Sequence, residues 1–180
     1  MSVKNVFLDL DNTLISAEPI EDFPFGRKNI KRKALQFSIH NMDGYYIVFE
    51  RPGLQEFLDD LFANYNVSVW TAASKDYALF IIDKIILTKP NRRLDYVFFS
   101  YHGDLSKKMY KNPKDLRLLW EVFKLTDYSP RNTIIIDDYI DVVKNQKDNS
   151  IQIHPFEILD EGSERDSILR GIIPEIEGKL

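Results

Sequence analysis

The stretch Val6-Phe7-Leu8-Asp9-Leu10-Asp11-Asn12-Thr13-Leu14 decides how this chain folds. Val6, Phe7 and Leu8 form a short apolar run of the kind buried in a parallel sheet, and the run ends by emitting two aspartates into a turn. Ligands of open α/β sheets sit beyond the carboxyl ends of the strands, where an apolar scaffold stops and polar side chains converge. Asp9 and Asp11 would lie there, close enough to repel each other unless a cation intervenes. A hard divalent ion with oxygen ligands, Mg²⁺ above all, suits such a pair. By itself the hexamer Asp9 to Leu14 is as readily a strand end followed by an Asx-type turn.

The chain has 180 residues, 44% hydrophobic, with a formal net charge of −4, enough to bury one good core in one domain, residues 1–180. It contains no cysteine, which removes disulfides, thiolate metal sites and a cysteine nucleophile. The amino terminus lacks the pattern of a signal peptide and no apolar run could span a bilayer, so the expectation is a soluble intracellular protein, cytoplasmic or nuclear. A sequence pI of about 5.4 selects no partner.

Working outward, residues 19–50 read as a loop followed by a hairpin insertion. Prolines, a glycine and the cluster Arg27, Lys28, Lys31, Arg32 and Lys33 mark the loop; Leu35, Phe37 and Ile39 alternate before an Asp43-Gly44 turn, and Tyr45 to Phe49 follow it. No helix is expected in this excursion. It is too small to enclose a substrate, which leaves the strand ends open to a bulky one. The basic cluster is a solvated loop or, if functional, an attractor of an acidic or multiply phosphorylated partner.

Pro52 and Gly53 introduce a helix with Leu54, Phe57, Leu58, Leu61, Phe62 and Tyr65 on one face. The next strand, Val67 to Trp70, ends in Thr71-Ala72-Ala73-Ser74, ahead of a helix from about Lys75 to Leu87 with Ser74 as its cap. A threonine there can bind a phosphoryl oxygen together with backbone amides, or serve only as a turn residue. Tyr96 to Ser100 reads as a third strand, and Leu116, Leu119, Trp120 and Phe123 as a third helix. The intervening polar loop carries Lys107, Lys108, Lys111 and Lys114. Three of these are read as solvated surface; Lys114, fixed behind Pro113 at a helix start, is the exception that can reach the strand ends. Thr133 to Ile136 is a further apolar strand that terminates in Asp137-Asp138.

Strand-DxDxT, strand-Thr, Lys before a helix and strand-Asp-Asp thus recur in order on a βα alternation. The set resembles the haloacid-dehalogenase (HAD) superfamily of phosphohydrolases. More narrowly, Arg51-Pro52-Gly53 leading into Glu56-Phe57-Leu58, Trp70-Thr71-Ala72-Ala73 and Lys114-Asp115-Leu116 resemble the FCP/SCP type, the RNA polymerase II C-terminal-domain phosphatases and their NIF-like relatives. The resemblance covers about residues 3 to 155. It implies a Rossmann-like α/β domain with central strands in the order 3-2-1-4-5 and a small β-hairpin insertion in place of a large cap. It also implies an Mg²⁺-dependent phosphomonoesterase with Asp9 as nucleophile and Asp11 as general acid and base, through an aspartyl-phosphate. Thr71 would bind a phosphoryl oxygen and Lys114 neutralise charge there while holding Asp9. Mg²⁺ would be held by Asp9, the Asp11 backbone carbonyl and the acidic pair, Asp138 directly and Asp137 by orienting it or a bound water. Four carboxylates would repel a phosphate dianion, so a divalent ion and a lysine are required.

The implied substrate is a phosphoserine or phosphothreonine in a protein segment. Phosphorylated nucleic-acid ends or small phosphometabolites are the alternatives for the same chemistry, and a non-hydrolysing phosphoprotein-binding module is the alternative outside it. Asn12 stands where relatives commonly have Glu or Gly, and Ser100 to Lys111 lacks an arginine and cysteine pattern frequent in C-terminal-domain phosphatases, which leaves that specificity unassigned. Asp141 offers a second spacing with Asp137 as an outer metal group. His40, His102 and His154 are scattered and read as surface or hydrogen-bonded residues, and Trp70 and Trp120 as packing. Residues 156–180 form a helical tail, capped by Ser163 with Asp166 and frayed at its end.

Overall fold

The computed structural model describes residues 4–180. Strand β1 (Asn5–Leu8) runs into the Asp9 turn, and β2 (Ile15–Pro19) leaves it. Helix α1 (Lys28–Ala34), β3 (Ile39–Met42) and β4 (Tyr46–Glu50) follow, then α2 (Leu54–Asn64), β5 (Asn66–Trp70), α3 (Lys75–Ile81), β6 (Leu94–Phe98) and α4 (Ser100–Tyr110). The chain closes with β7 (Thr133–Asp137), α5 (Ile140–Val143), β8 (Ser150–Gln152), α6 (Ile168–Gly171) and α7 (Ile173–Lys179).

The main sheet has five parallel strands ordered β6-β5-β1-β7-β8, the 3-2-1-4-5 order expected. Its central strands are covered on both faces, as their continuous apolar character requires. Val6, Leu8, Ile134 and Ile136 pack on one side with Leu58, Leu61 and Ile81, whereas Phe7 and Ile135 pack on the other with Trp70, Leu119 and Val142. This alternation is the period of two of a pleated strand, expressed on both faces at once. The register sets Leu8 opposite Val69 on one flank and Ile136 on the other. One residue further, Asp9 stands level with Asp137, and its N–H donates to the Ile136 carbonyl at 3.0 Å.

The hairpin at Asp43-Gly44 is present, with Gly44 at φ +82°, a conformation natural to glycine. It is one part of a three-stranded antiparallel sheet, β2-β4-β3, in which Ile15 pairs with Glu50 and Ile39 with Phe49. Several details differ from expectation. A helix does occur between the first loop and the hairpin: α1 contains most of the basic cluster, and Leu35 beyond it is 73% exposed in a turn rather than in a strand. Strand β6 begins and ends two residues before the expected Tyr96 to Ser100, because Ser100 opens α4. Lys107 and Lys108 sit on that helix rather than in a loop, and the third apolar helix is a short π-helical turn over residues 118–122.

The carboxyl tail is docked rather than frayed. Leu169 and Ile176 are fully buried against the face of the sheet that carries α2, burial worth about 1.5–3 kcal/mol for each side chain. Ser163 caps no helix; its hydroxyl donates to the Ile158 carbonyl at 2.9 Å. Asp166 accepts the N–H of Ile168, the first residue of α6, at 3.0 Å, and also two hydrogen bonds, at 3.0 and 2.8 Å, from Arg51, whose guanidinium is wholly buried. Arg51 also donates to the carbonyls of Thr13 at 3.0 Å and His154 at 2.9 Å, so one side chain ties the Asp9 turn to the tail.

Candidate active site

Asp9, Asp11, Thr71, Lys114, Asp137 and Asp138 all line one cavity of about 530 Å³ at the carboxyl edge of the main sheet. Asp9 reaches it because the strand ends one residue earlier, and the turn that follows is tightly bonded, Leu14 N–H donating to the Leu10 carbonyl at 2.8 Å and Asn12 N–H to that of Ile15 at 2.8 Å. Asn12 takes φ +61°, a left-handed conformation that asparagine tolerates better than most side chains. Both Asp9 oxygens are engaged: Oδ1 accepts from Lys114 Nζ at 2.5 Å and Oδ2 from the Thr13 hydroxyl at 3.0 Å. A carboxylate held at both oxygens keeps one orientation.

Lys114 is 4% exposed and bridges Asp9 to Asp137, whose Oδ2 lies 2.6 Å from Nζ. Burial acts to strip its proton, but Asp9 and Asp137 outweigh burial and hold the ammonium above the usual lysine range. The backbone around it is clamped. Asn112, fully buried, accepts the Lys114 N–H at 2.9 Å and donates to the Val142 carbonyl at 3.2 Å, while Ser106 on α4 donates to the Asn112 carbonyl at 2.7 Å. The helix can approach this closely because position 103 is glycine: a Cβ there would stand 3.3 Å from the Pro113 carbonyl oxygen.

Asp137, almost completely buried, also accepts the Tyr139 N–H at 2.9 Å; burial and then Asp9 push its carboxyl upward. Asp138 is half-buried and is pushed up by the same two causes in the same order. Asp9, Asp137 and Asp138 each place a carboxylate oxygen within 4.8 Å of the others, the one acidic group among the described residues with the spacing of a cation site. Three carboxylates, with no nitrogen or sulfur donor among them, match a hard divalent ion.

Asp11 faces the same space from the other side of the turn. Burial, with a smaller contribution from Asp9, raises its carboxyl to about 6 despite a hydrogen bond from the Tyr77 hydroxyl. Tyr77 pairs edge-on with Tyr46, so α3 and the hairpin meet beside Asp11. Thr71 is buried at the end of β5, its N–H donating to the Phe98 carbonyl at 2.9 Å and its hydroxyl accepting the Ala73 N–H at 3.1 Å. Ser74 caps α3, accepting the Tyr77 N–H at 3.3 Å.

The site therefore unites all six residues singled out from the sequence. Asp141 lies outside the acidic cluster and pairs with Lys144 at 2.6 Å. No residue of the basic cluster lines the cavity, and Lys33 turns to the tail, donating to the Asp160 carbonyl and lying 3.8 Å from Glu164. His102 is stacked on Phe98 and accepts the Phe99 N–H at 3.1 Å, remote in role from the carboxylates. Thr13, Tyr77 and Asn112 have no role assigned from sequence. Thr13 lies inside the DxDxT motif, which is a visible signal, whereas the Tyr77 and Asn112 contacts arise only when distant segments meet.

The profile of the NLI interacting factor-like phosphatase family matches residues 4–180. CTD phosphatase-like protein 355R of Invertebrate iridescent virus 6 is 47% identical over 172 residues, covering 93% of this chain and 93% of that protein. Among solved structures, the fission yeast RNA polymerase II CTD phosphatase Fcp1 superposes with a TM-score of 0.61 at 22% identity over 99% of this chain, which spans about half (51%) of that one. A HAD family enzyme of Bacteroides thetaiotaomicron, solved with magnesium and inorganic phosphate, gives a TM-score of 0.51 at 17% identity, covering 92% of this chain and all of its own. At these identities the structures speak to fold, while the profile and the viral relative speak to descent. With a HAD-type sheet and an acidic crevice at its carboxyl edge, the chain belongs to the NLI interacting factor-like phosphatases and is a phosphatase.

Proposed function

We propose that this phosphatase hydrolyses phosphoserine or phosphothreonine in a protein segment by way of an aspartyl-phosphate. The observation that carries the reading is the convergence of Asp9, Asp11, Thr71 and Lys114 on one crevice beside the Asp137-Asp138 pair. An Asp9 carboxylate oxygen attacks phosphorus as the bond to the seryl or threonyl oxygen breaks, and the Asp11 carboxyl gives its proton to that leaving oxygen. In the second half a water loses a proton to Asp11 and attacks phosphorus, the bond to Asp9 breaks, and inorganic phosphate leaves.

Lys114 offsets charge on the phosphoryl group and keeps Asp9 aimed, and the Thr71 hydroxyl contacts a phosphoryl oxygen. Asp9, Asp138 and the Asp11 backbone carbonyl would hold Mg²⁺, with Asp137 orienting Asp138 or a bound water, and the ion would supply the neutralisation that lets a dianion enter a site of four carboxylates. The division between the two acids follows from their contacts: Asp137 is occupied by Lys114 and Tyr139 N–H, and Asp138 is the more accessible.

The small β2-β4-β3 sheet, which among the described residues stands in place of a large cap, and the names borne by the relatives favour a protein substrate over a metabolite. Phosphate release measured on phosphopeptides, 3′-phosphorylated oligonucleotides and sugar phosphates with Mg²⁺ tests this. Phosphopeptides are expected to be turned over fastest, and EDTA to stop the reaction until Mg²⁺ is restored. Faster release from oligonucleotides or sugars would reassign the substrate, and tight retention of an unhydrolysed phosphopeptide would make the domain a binding module.

A further inference from the structure

Two lysines in the catalytic cavity have no assigned work. Lys107 and Lys111 line the same space of about 530 Å³ as Asp9, Thr71 and Lys114, one turn apart at the end of α4. The other cations there are committed, Lys114 to Asp9 and Asp137, and Lys144 to Asp141. Among the described residues, Lys107 and Lys111 enter no ion pair and no side-chain hydrogen bond. A lysine at a helix end complements the backbone carbonyls there, but that account applies equally to Lys108, which does not face the cavity.

Lys111 is also held in an uncommon conformation. Its φ is +59°, a left-handed geometry that costs a lysine more than a glycine, and its N–H donates to the Lys107 carbonyl at 3.0 Å. The next residue is Asn112, whose side chain positions Lys114. One clamped segment therefore places both the phosphate-facing lysine and the unpaired one. The neighbouring groove of about 590 Å³, which shares Asp11, is lined by Tyr45, Tyr46, Tyr77 and Phe80 with Asp43 and Asp76, and by no lysine or arginine. The catalytic cavity sets four lysines against five carboxylates, whereas the groove sets no cation against three, so an additional anion is opposed in the groove and finds its uncommitted cations only beside Lys107 and Lys111.

We propose that Lys107 and Lys111 form a second anion subsite, one that takes a carboxylate or a second phosphate lying to one side of the scissile phosphoresidue in the same segment. The proposal rests on the phosphatase reading above and narrows it to substrates with an acidic or doubly phosphorylated flank. Two exposed ammonium groups suit either anion, and a phosphate dianion would gain more than a carboxylate.

The test uses phosphoserine peptides with Ala, Asp or a second phosphoserine at each of the three positions on either side. With wild-type protein and Mg²⁺, an acidic residue on one flank is expected to raise kcat/KM about tenfold over Ala, with phosphoserine above Asp, and the advantage to fade at about 0.5 M salt. In Lys107→Gln/Lys111→Gln the ratio between acidic and Ala peptides, measured on the same protein, falls towards one. A ratio near one in wild type, an equal advantage on both flanks, or a ratio unchanged in the double variant would overturn the subsite. Affinities of the same peptides for Asp9→Asn, read by fluorescence anisotropy, need no turnover. One-sided acidic preference there, with no phosphate release by wild type from an aryl phosphate, would keep the subsite and overturn the phosphatase reading alone.

Discussion

Replacing Asp166 by Ala tests whether the tail is part of the frame of the catalytic turn. Arg51 has no exposed side-chain surface, and Asp166, 12% exposed, supplies the only carboxylate it pairs with among the described residues. After the change, Nη1 keeps the Thr13 carbonyl and Nη2 that of His154, but Nε loses its partner and the guanidinium charge stays buried without a counter-ion. Removing one member of a buried pair costs about 3–5 kcal/mol, and because Asp166 has some access to water the lower end applies, about 3 kcal/mol. For a chain of this length each kcal/mol lowers Tm by about 2–4 °C, so a fall of about 6–12 °C is expected. Urea unfolding at pH 7, followed by circular dichroism, reads the same loss as a shift of midpoint with the slope unchanged. A loss below about 1 kcal/mol would refute the reasoning and show that the Arg51 charge is satisfied without Asp166.

Further outcomes follow from the packing and the site. Ile176→Ala should cost about 2–4 kcal/mol in the same unfolding assay, since Ile176 is fully buried; a change under about 0.5 kcal/mol would return the tail to a frayed end. Lys114→Met leaves Asp9 and Asp137 facing each other without the cation between them, and turnover of an aryl phosphate should fall at least about a hundredfold. Retention of more than about a tenth of the activity would contradict the role given to Lys114. His102 is held below the ordinary histidine range, first by burial, so the folded state binds fewer protons than the unfolded chain. Its contribution is therefore intact above about pH 6.5 and is lost as pH falls below that value; His102→Asn should show a shallower loss of stability than wild type between about pH 6.5 and 5. Equal slopes in the two proteins would contradict the assignment.

Which parts of this architecture are readable from sequence depends on how local their signals are. The six site residues are legible because each sits directly at the end of an apolar strand or ahead of a helix, where a short motif and its position coincide. Helix α4 is not legible, since its buried residues are Gly103 and Ser106, and a helix that packs through such small side chains shows no apolar period. Helix α1 hides similarly, with Ala34 its only fully buried residue and three basic residues in its last turn. In the tail, Leu169, Ile172 and Ile176 do carry a helical spacing, but Gly171, Pro174 and Gly178 interrupt it, so the segment reads as weaker than its packing makes it. The pairing of Arg51 with Asp166 spans 115 positions and has no local trace. The same holds for Tyr77 and Asp11, brought together only when α3 closes against the turn.

The central claim is that Asp9 attacks phosphorus in a site that needs a divalent ion. Release of phosphate from an aryl phosphate should be followed for wild type and Asp9→Asn with Mg²⁺ and with EDTA, alongside circular dichroism of both proteins. The account predicts Mg²⁺-dependent release by wild type and none detectable from Asp9→Asn, with matching spectra. Release by a folded Asp9→Asn at the wild-type rate, or by wild type in EDTA, would contradict it.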